Sequence, residues 1–148
     1  MTKKLATELL REQFKNTRVN CWDLMKPELV EYVEGKSMTF RFPVLEIYSN
    51  PRKSMQGGFI SAAFDNSYGP LASVVTGQLE MASVDLCVNY HRPIFENDTL
   101  TVKVYIKSKG KNILHLTGEA FDSKDRLIAS SVTNIMLLEK EKFHKKPQ

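Results

Sequence analysis

Between Gly57 and Gln78 the chain carries a single charge, Asp65. The stretch reads as one apolar helix, and a helix apolar on all sides has to be covered by the rest of the fold. This makes it the most buried element expected here. Pro70 lacks an N–H and clashes with the preceding turn, which predicts a kink or break there. Gly77 is expected to end the segment. Asp65 stands out because carboxylates are rarely buried without a partner, and burial disfavours their charged form. Its neighbours one turn away, Ser61, Ala62 and Gly69, form no charged stripe that would mark a solvent face. The expectation is therefore a buried carboxylate, functional or held by a structural hydrogen bond.

The flanks have other periods. Leu5, Leu9, Leu10 and Phe14 recur at helical spacing over 2–16, with Thr2 as a possible cap. A second short helix is expected after Asp23, with Pro27 early, Leu29, Val30 and Val33 as its apolar side and Gly35 at its end. From Ser37 to about Ile47 the alternation of Met38, Phe40 and Phe42 with Thr39 and Arg41 predicts a strand. Residues 48–54 form a polar loop with a turn at Asn50-Pro51. Alternating strands follow near 82–91, 100–107, 113–121 and 127–138. Their short connections predict an antiparallel meander. An apolar helix with such a sheet is an α+β fold in one domain, with 1–35 a helical extension, 37–138 the core and 139–148 a basic tail.

The 148 residues carry a formal charge of +4, but residues 1–20 contribute +3 and residues 139–148 contribute +2. The body is close to neutral, which argues against a nucleic-acid-binding face. No run approaches the ~18 apolar residues of a membrane span. Arg11 and Glu12 interrupt the place where a signal peptide would need its apolar core. Cys21 and Cys87 match no metal spacing and read as free packing thiols. A cytoplasmic protein without a metal is the expectation.

The second chemical candidate is Gly57-Gly58. A helix N-terminus exposes unpaired N–H groups and the positive end of the dipole. Glycine lets a ligand approach that backbone closely, as a carbonyl oxygen becoming an oxyanion would need. A packing turn is the plain alternative.

Taken together, Asn50-Pro51, Gln56-Gly57-Gly58, Asp65 and the run from Ala82 through Ser83, Asp85 and Tyr90 to Arg92-Pro93 resemble the hotdog-fold acyl-CoA thioesterases. Within them it resembles the branch of the phenylacetate-pathway and 4-hydroxybenzoyl-CoA enzymes. The resemblance covers about 37–138 and departs at Gln56, where the family usually has His. It implies an antiparallel sheet of five to six strands wrapped around the long helix, with the N-terminal helices as additions. It implies hydrolysis of an acyl-CoA to free acid and coenzyme A, the coenzyme entering only as part of the substrate. Asp65 is implied as general base or nucleophile, Gly57 and Gly58 as carbonyl-polarising amides, Asn50 and Gln56 as orienting groups and Ser83 as an assistant. Asp85 shares Ser83's strand face by alternation and reads as structural. Arg92, Lys107, Lys109 and Lys111 are candidates for the coenzyme phosphates, and Phe59, Phe64, Tyr68 and Leu71 for an acyl pocket. His91, His115 and His144 have no triad-like spacing. A non-catalytic acyl-CoA-binding protein and a hotdog dehydratase or hydratase are the alternatives.

Geometry adds a constraint. Asp65 lies eight residues beyond Gly57, about 12 Å along a helix. One chain cannot bring both to one carbonyl, whereas an antiparallel second copy can. A site shared across a homodimer follows, and the resemblance extends this to a dimer of dimers.

Overall fold

The computed structural model describes residues 3–15 and 19–139. The expected cap at Thr2, the tail from 140 onward and His144 lie outside the described residues. The elements are α1 (Lys3–Phe14), α2 (Asn20–Met25), β1 (Glu28–Val33), β2 (Ser37–Pro43), a 3-10 turn (Glu46–Tyr48), α3 (Gly57–Thr76), β3 (Met81–Tyr90), β4 (Thr99–Lys109), β5 (Ile113–Phe121) and β6 (Leu127–Leu137).

The second helix is shorter and earlier than its apolar spacing predicts. It ends at Met25, with Lys26 in the left-handed region, and Leu29, Val30 and Val33 lie on strand β1. Pro27 cannot extend the helical hydrogen bonding, and β-branched residues suit a pleated strand. Gly35, at φ 66°, closes the β1–β2 hairpin and does not end a helix. Pro43 likewise stops β2 short of Ile47.

The long helix forms as one element from Gly57 to Thr76 and is not broken at Pro70. Gly77, at φ 71°, caps it by donating its N–H to the Ser73 carbonyl. Phe64, Tyr68, Leu71 and Ala72 are buried on its sheet side. The helix side chains pack tightly over Gly118 of β5. A Cβ there would stand 2.7 Å from the Tyr68 hydroxyl and 3.1 Å from the Phe64 ring.

All strand pairs are antiparallel, in the order β1-β2-β4-β5-β6-β3. The meander holds for β4-β5-β6 only. β3 does not pair with β4, its successor in the chain, but crosses to the far edge beside β6. The inner face of the sheet presents Phe40, Val102, Leu116 and Ile135, all buried, and α3 lies across it. This is the hotdog arrangement, with α1 and α2 as additional helices.

One irregularity decides how β3 meets the helix. Ser83 pairs with Ile135 and Asp85 with Asn134, leaving Val84 as an extra, bulged residue. Successive residues of a strand point to opposite faces, so an insertion changes the phase. Ser83 sits opposite buried Ile135 on the inner face, and Asp85 falls on the outer face beside Asn134. The expectation that Ser83 and Asp85 share a face is thereby overturned. After the bulge, Leu86, Val88 and Tyr90 occupy the inner face.

Candidate active site

The site is built along one stripe of α3, where Gly57, Ser61 and Asp65 follow at four-residue intervals and therefore share a side. β3 runs beside this stripe. Gln56 is the N-cap residue in extended conformation, and its carbonyl accepts from the N–H groups of Phe59 and Ile60. The N–H groups of Gly57 and Gly58 donate to no described protein group. They are the unpaired donors that any helix N-terminus carries, at the positive end of its dipole. The Gln56 side chain makes no cap bond and reaches over this turn, its Oε1 3.7 Å from where a Gly58 Cβ would stand.

Gly57 has a packing reason as well. A Cβ there would lie 2.8 Å from Cζ of Tyr90. The Tyr90 hydroxyl donates to the Gly57 carbonyl at 2.8 Å and lies 2.7 Å from Ser61 Oγ. Tyr90 thus holds the first turn of α3. It stood in the sequence motif but had no role assigned, since simple alternation from Ser83 points it to the other face.

Asp65 is exposed in the single chain, not buried as its apolar neighbours suggest. Phe64 and Tyr68 take the sheet side of the helix, which turns Asp65 the other way. Ser83 donates to Asp65 Oδ1 at 3.4 Å, a long bond, and Asp65 has no other hydrogen bond among the described residues. The next residue, Asn66, ties α2 to α3 by donating to the Cys21 carbonyl at 3.4 Å.

Other candidates fall elsewhere. Asn50 is engaged in its own loop: Oδ1 accepts from the N–H groups of Arg52 and Ser54, and Nδ2 donates to Ser54 Oγ. Tyr68 is in the core, not in the open site. Its hydroxyl is 2.6 Å from Ser131 Oγ, and burial pushes its pKa up to about 12 against the smaller opposing effect of that bond. Phe64 and Leu71 are equally part of the core. Phe59 is half-buried against Tyr48, with ring centroids 4.8 Å apart. Lys109 donates to the Val75 carbonyl, at the opposite end of α3 from Gly57, about 27 Å away along the axis. Arg92 is exposed just past Tyr90 and donates to the Leu127 carbonyl. Lys107 and Lys111 are exposed.

Asp85 is structural. Its carboxylate accepts from Asn134 Nδ2 at 2.9 Å and from the Asn134 N–H at 2.7 Å. These bonds, the side-chain one first, hold its pKa below the usual carboxylate value, helped by His115 and opposed by desolvation. His115 and His91 bond Asn134 and Ser130 on the outer face. Cys21 and Cys87 are free and exposed, not packed thiols. Among the described residues no cluster of three or more His, Cys, Asp or Glu could hold a metal, and no helix is long and apolar enough to cross a membrane.

A long helix wrapped by an antiparallel sheet, with further helices N-terminal to it in the chain, is the hotdog architecture. The model of the thioesterase superfamily matches residues 53–129, and the chain belongs to that family, a family of thioester hydrolases. No curated protein matches the sequence significantly. Among solved structures, the chain is similar to the Escherichia coli PaaI protein from the phenylacetic acid degradation operon. The TM-score is 0.81 and the identity 17%, over 93% of this chain and 96% of that one. Mouse thioesterase superfamily member 2 is similar with a TM-score of 0.74 and 18% identity, over 92% and 97% of the two chains. The smu.793 protein of Streptococcus mutans, solved bound to acetyl CoA, gives 0.73 and 18%, over 84% and 95%.

Proposed function

We propose that this protein hydrolyses acyl-CoA thioesters at a site shared by two copies of the chain. The observation that carries the reading is the division of the stripe on α3. Open amides stand at Gly57 and Gly58, and a carboxylate with one weak partner stands two turns further on. In one chain these halves lie about 12 Å apart. An antiparallel second α3 would set the Asp65 of one chain beside the Gly57 of the other. Among the described residues β3 is an edge strand, which supports such pairing because a strand edge carries unpaired backbone groups.

The thioester carbonyl would accept from the Gly57 N–H, which stabilises the oxyanion as it forms. Asp65 would take a proton from water as the oxygen adds to the carbonyl carbon, or attack that carbon itself. Collapse breaks the C–S bond. On the general-base route Asp65 passes the proton taken from water to the thiolate, and the acid and coenzyme A thiol leave. On the nucleophile route the thiolate leaves first, and one water then hydrolyses the acyl-aspartyl anhydride to the acid and free Asp65, its proton balancing the thiolate. Ser83 would hold Asp65 Oδ1, and the Gln56 amide would orient the carbonyl or the water. The acetyl CoA bound to the streptococcal neighbour supports a coenzyme A thioester as substrate.

Thiol release over a panel of acyl-CoA substrates tests the reaction. Binding without thiol release would leave a non-catalytic acyl-CoA-binding protein instead. The shared site is tested by mixing Asp65→Asn protein with a Gly57→Trp variant. Each mixed dimer then holds one site with both parts intact, so about half the sites of each mixed dimer should recover, roughly a quarter of all sites after random exchange. No recovery after proven subunit exchange would refute sharing.

A further inference from the structure

The additional helices do more than cover the fold. Between α1, α2, the start of β1 and the middle of α3 lies a cavity of about 720 Å³. This falls within the range of about 300–1,000 Å³ typical of small-molecule sites. Leu10 and Phe14 of α1, Trp22 of α2, Leu29 of β1 and Met81 of β3 form its apolar walls, and Asp65 stands on the same cavity. The walls are anchored. Gln13 Nε2 of α1 donates to the Ser73 carbonyl at 3.1 Å, and the Tyr48 hydroxyl donates to the Leu24 carbonyl of α2 at 2.9 Å.

Gly69 gives a second, independent observation. It lies one turn beyond Asp65 on the same stripe of α3 and lines the cavity. A glycine inside a helix is destabilising relative to alanine. Gly57 and Gly118 have crowded surroundings that account for them, but a Cβ at Gly69 would meet nothing within 4 Å. Its φ is not in the left-handed region either. The consequence of a glycine here is an unfilled cavity beside the Asp65 carboxylate.

We infer that this cavity is the acyl pocket, and that it makes the protein selective for uncharged, apolar acyl groups of intermediate length, of which octanoyl is the probe. Its charged members, Arg11, Asp23 and Asp65, leave one negative charge in excess and offer no net attraction to an acidic acyl group. The inference rests on the thioesterase reading for its substrate class.

The test compares kcat/KM for acetyl-, octanoyl- and succinyl-CoA in wild type and in Gly69→Leu. Leucine is a good helix former, so the variant should fold with an unchanged or higher melting temperature. Wild type should prefer octanoyl-CoA, and Gly69→Leu should lower the octanoyl-to-acetyl ratio at least about tenfold, as a pocket denied room for one methylene or more does. An unchanged ratio, or a wild type that prefers acetyl- or succinyl-CoA, overturns the inference while hydrolysis stands. Failure of the hydrolase reading looks different. No thioester releases thiol, yet octanoyl-CoA still binds wild type more tightly than coenzyme A and loses that advantage in Gly69→Leu, which supports the pocket. Equal affinity of the two ligands for wild type would overturn it.

Discussion

The two faces of β3 each carry a carboxylate interaction, and they differ in kind. On the outer face Asp85 is bonded twice by Asn134, and its pKa is lowered. On the inner face Ser83 reaches the Asp65 carboxylate of α3 through one bond of 3.4 Å. A carboxylate whose lone pairs are filled by fixed donors is a strut. One that keeps most of its acceptor capacity open can accept a proton or attack a carbon. The bulge at Val84 separates the two roles, since it alone puts Ser83 and Asp85 on opposite faces.

If this contrast is right, Asp65→Asn should lower kcat in thiol release by about 10²–10⁴-fold. It should leave the melting temperature nearly unchanged, because Asn retains an acceptor for Ser83. A variant that hydrolyses at the wild-type rate would put the base elsewhere. Gly57→Ala comes next. Its Cβ would displace the Tyr90 ring and shift the first turn of α3, at a cost of up to about 10²-fold in kcat/KM. In a Tyr90→Ala background the same change should cost less, and additive losses would show that the contact does not matter.

The outer face predicts stability instead. The folded-state pKa of Asp85 lies below its unfolded value of 3.8. Its contribution is therefore present above about pH 4 and is lost as pH falls through the lowered folded pKa. Melting temperature followed from pH 7 to pH 2 should fall less steeply on the acid side in Asp85→Ala, while thiol release at pH 7 stays near wild type. A steeper fall would reverse the assignment. The smallest effect is expected from Ser83→Ala, less than about tenfold in kcat, since the bond is long and a typical net hydrogen bond is worth about 0.5–1.5 kcal/mol. A loss matching that of Asp65→Asn would make Ser83 a direct participant.

Much of this was legible in the chain. The apolar run with its terminal glycines marked α3, and alternation marked four strands after it within a few residues. Asp65 and the Gly57-Gly58 start stood out because each breaks a local pattern, whereas Ser83 came only from the resemblance of its strand to the thioesterase family. Reading failed where a neighbour in space outvoted local spacing. Leu29, Val30 and Val33 fit a helix face until β2 paired with Leu29 and Val33 and left Val30 in the register shift between Leu29 and Glu31. Tyr68 looked like a pocket residue until Gly118 and Ser131 enclosed it. Asn50 carries the turn chemistry its Asn-Pro pair announces, and that chemistry occupies its side chain.

The sequence alone determined the composition of each face of α3, the glycine pair at its start and the separation of Gly57 from Asp65, because these are consequences of helical spacing along one segment. Only the tertiary structure decided that β3 crosses to the far edge, that a single extra residue turns Ser83 and Tyr90 together toward the helix, and that Gly69 opens onto a cavity. Those are matters of register and enclosure. Register depends on which strands meet, and a cavity is defined by walls from α1, α2, β1 and β3 that are distant along the chain.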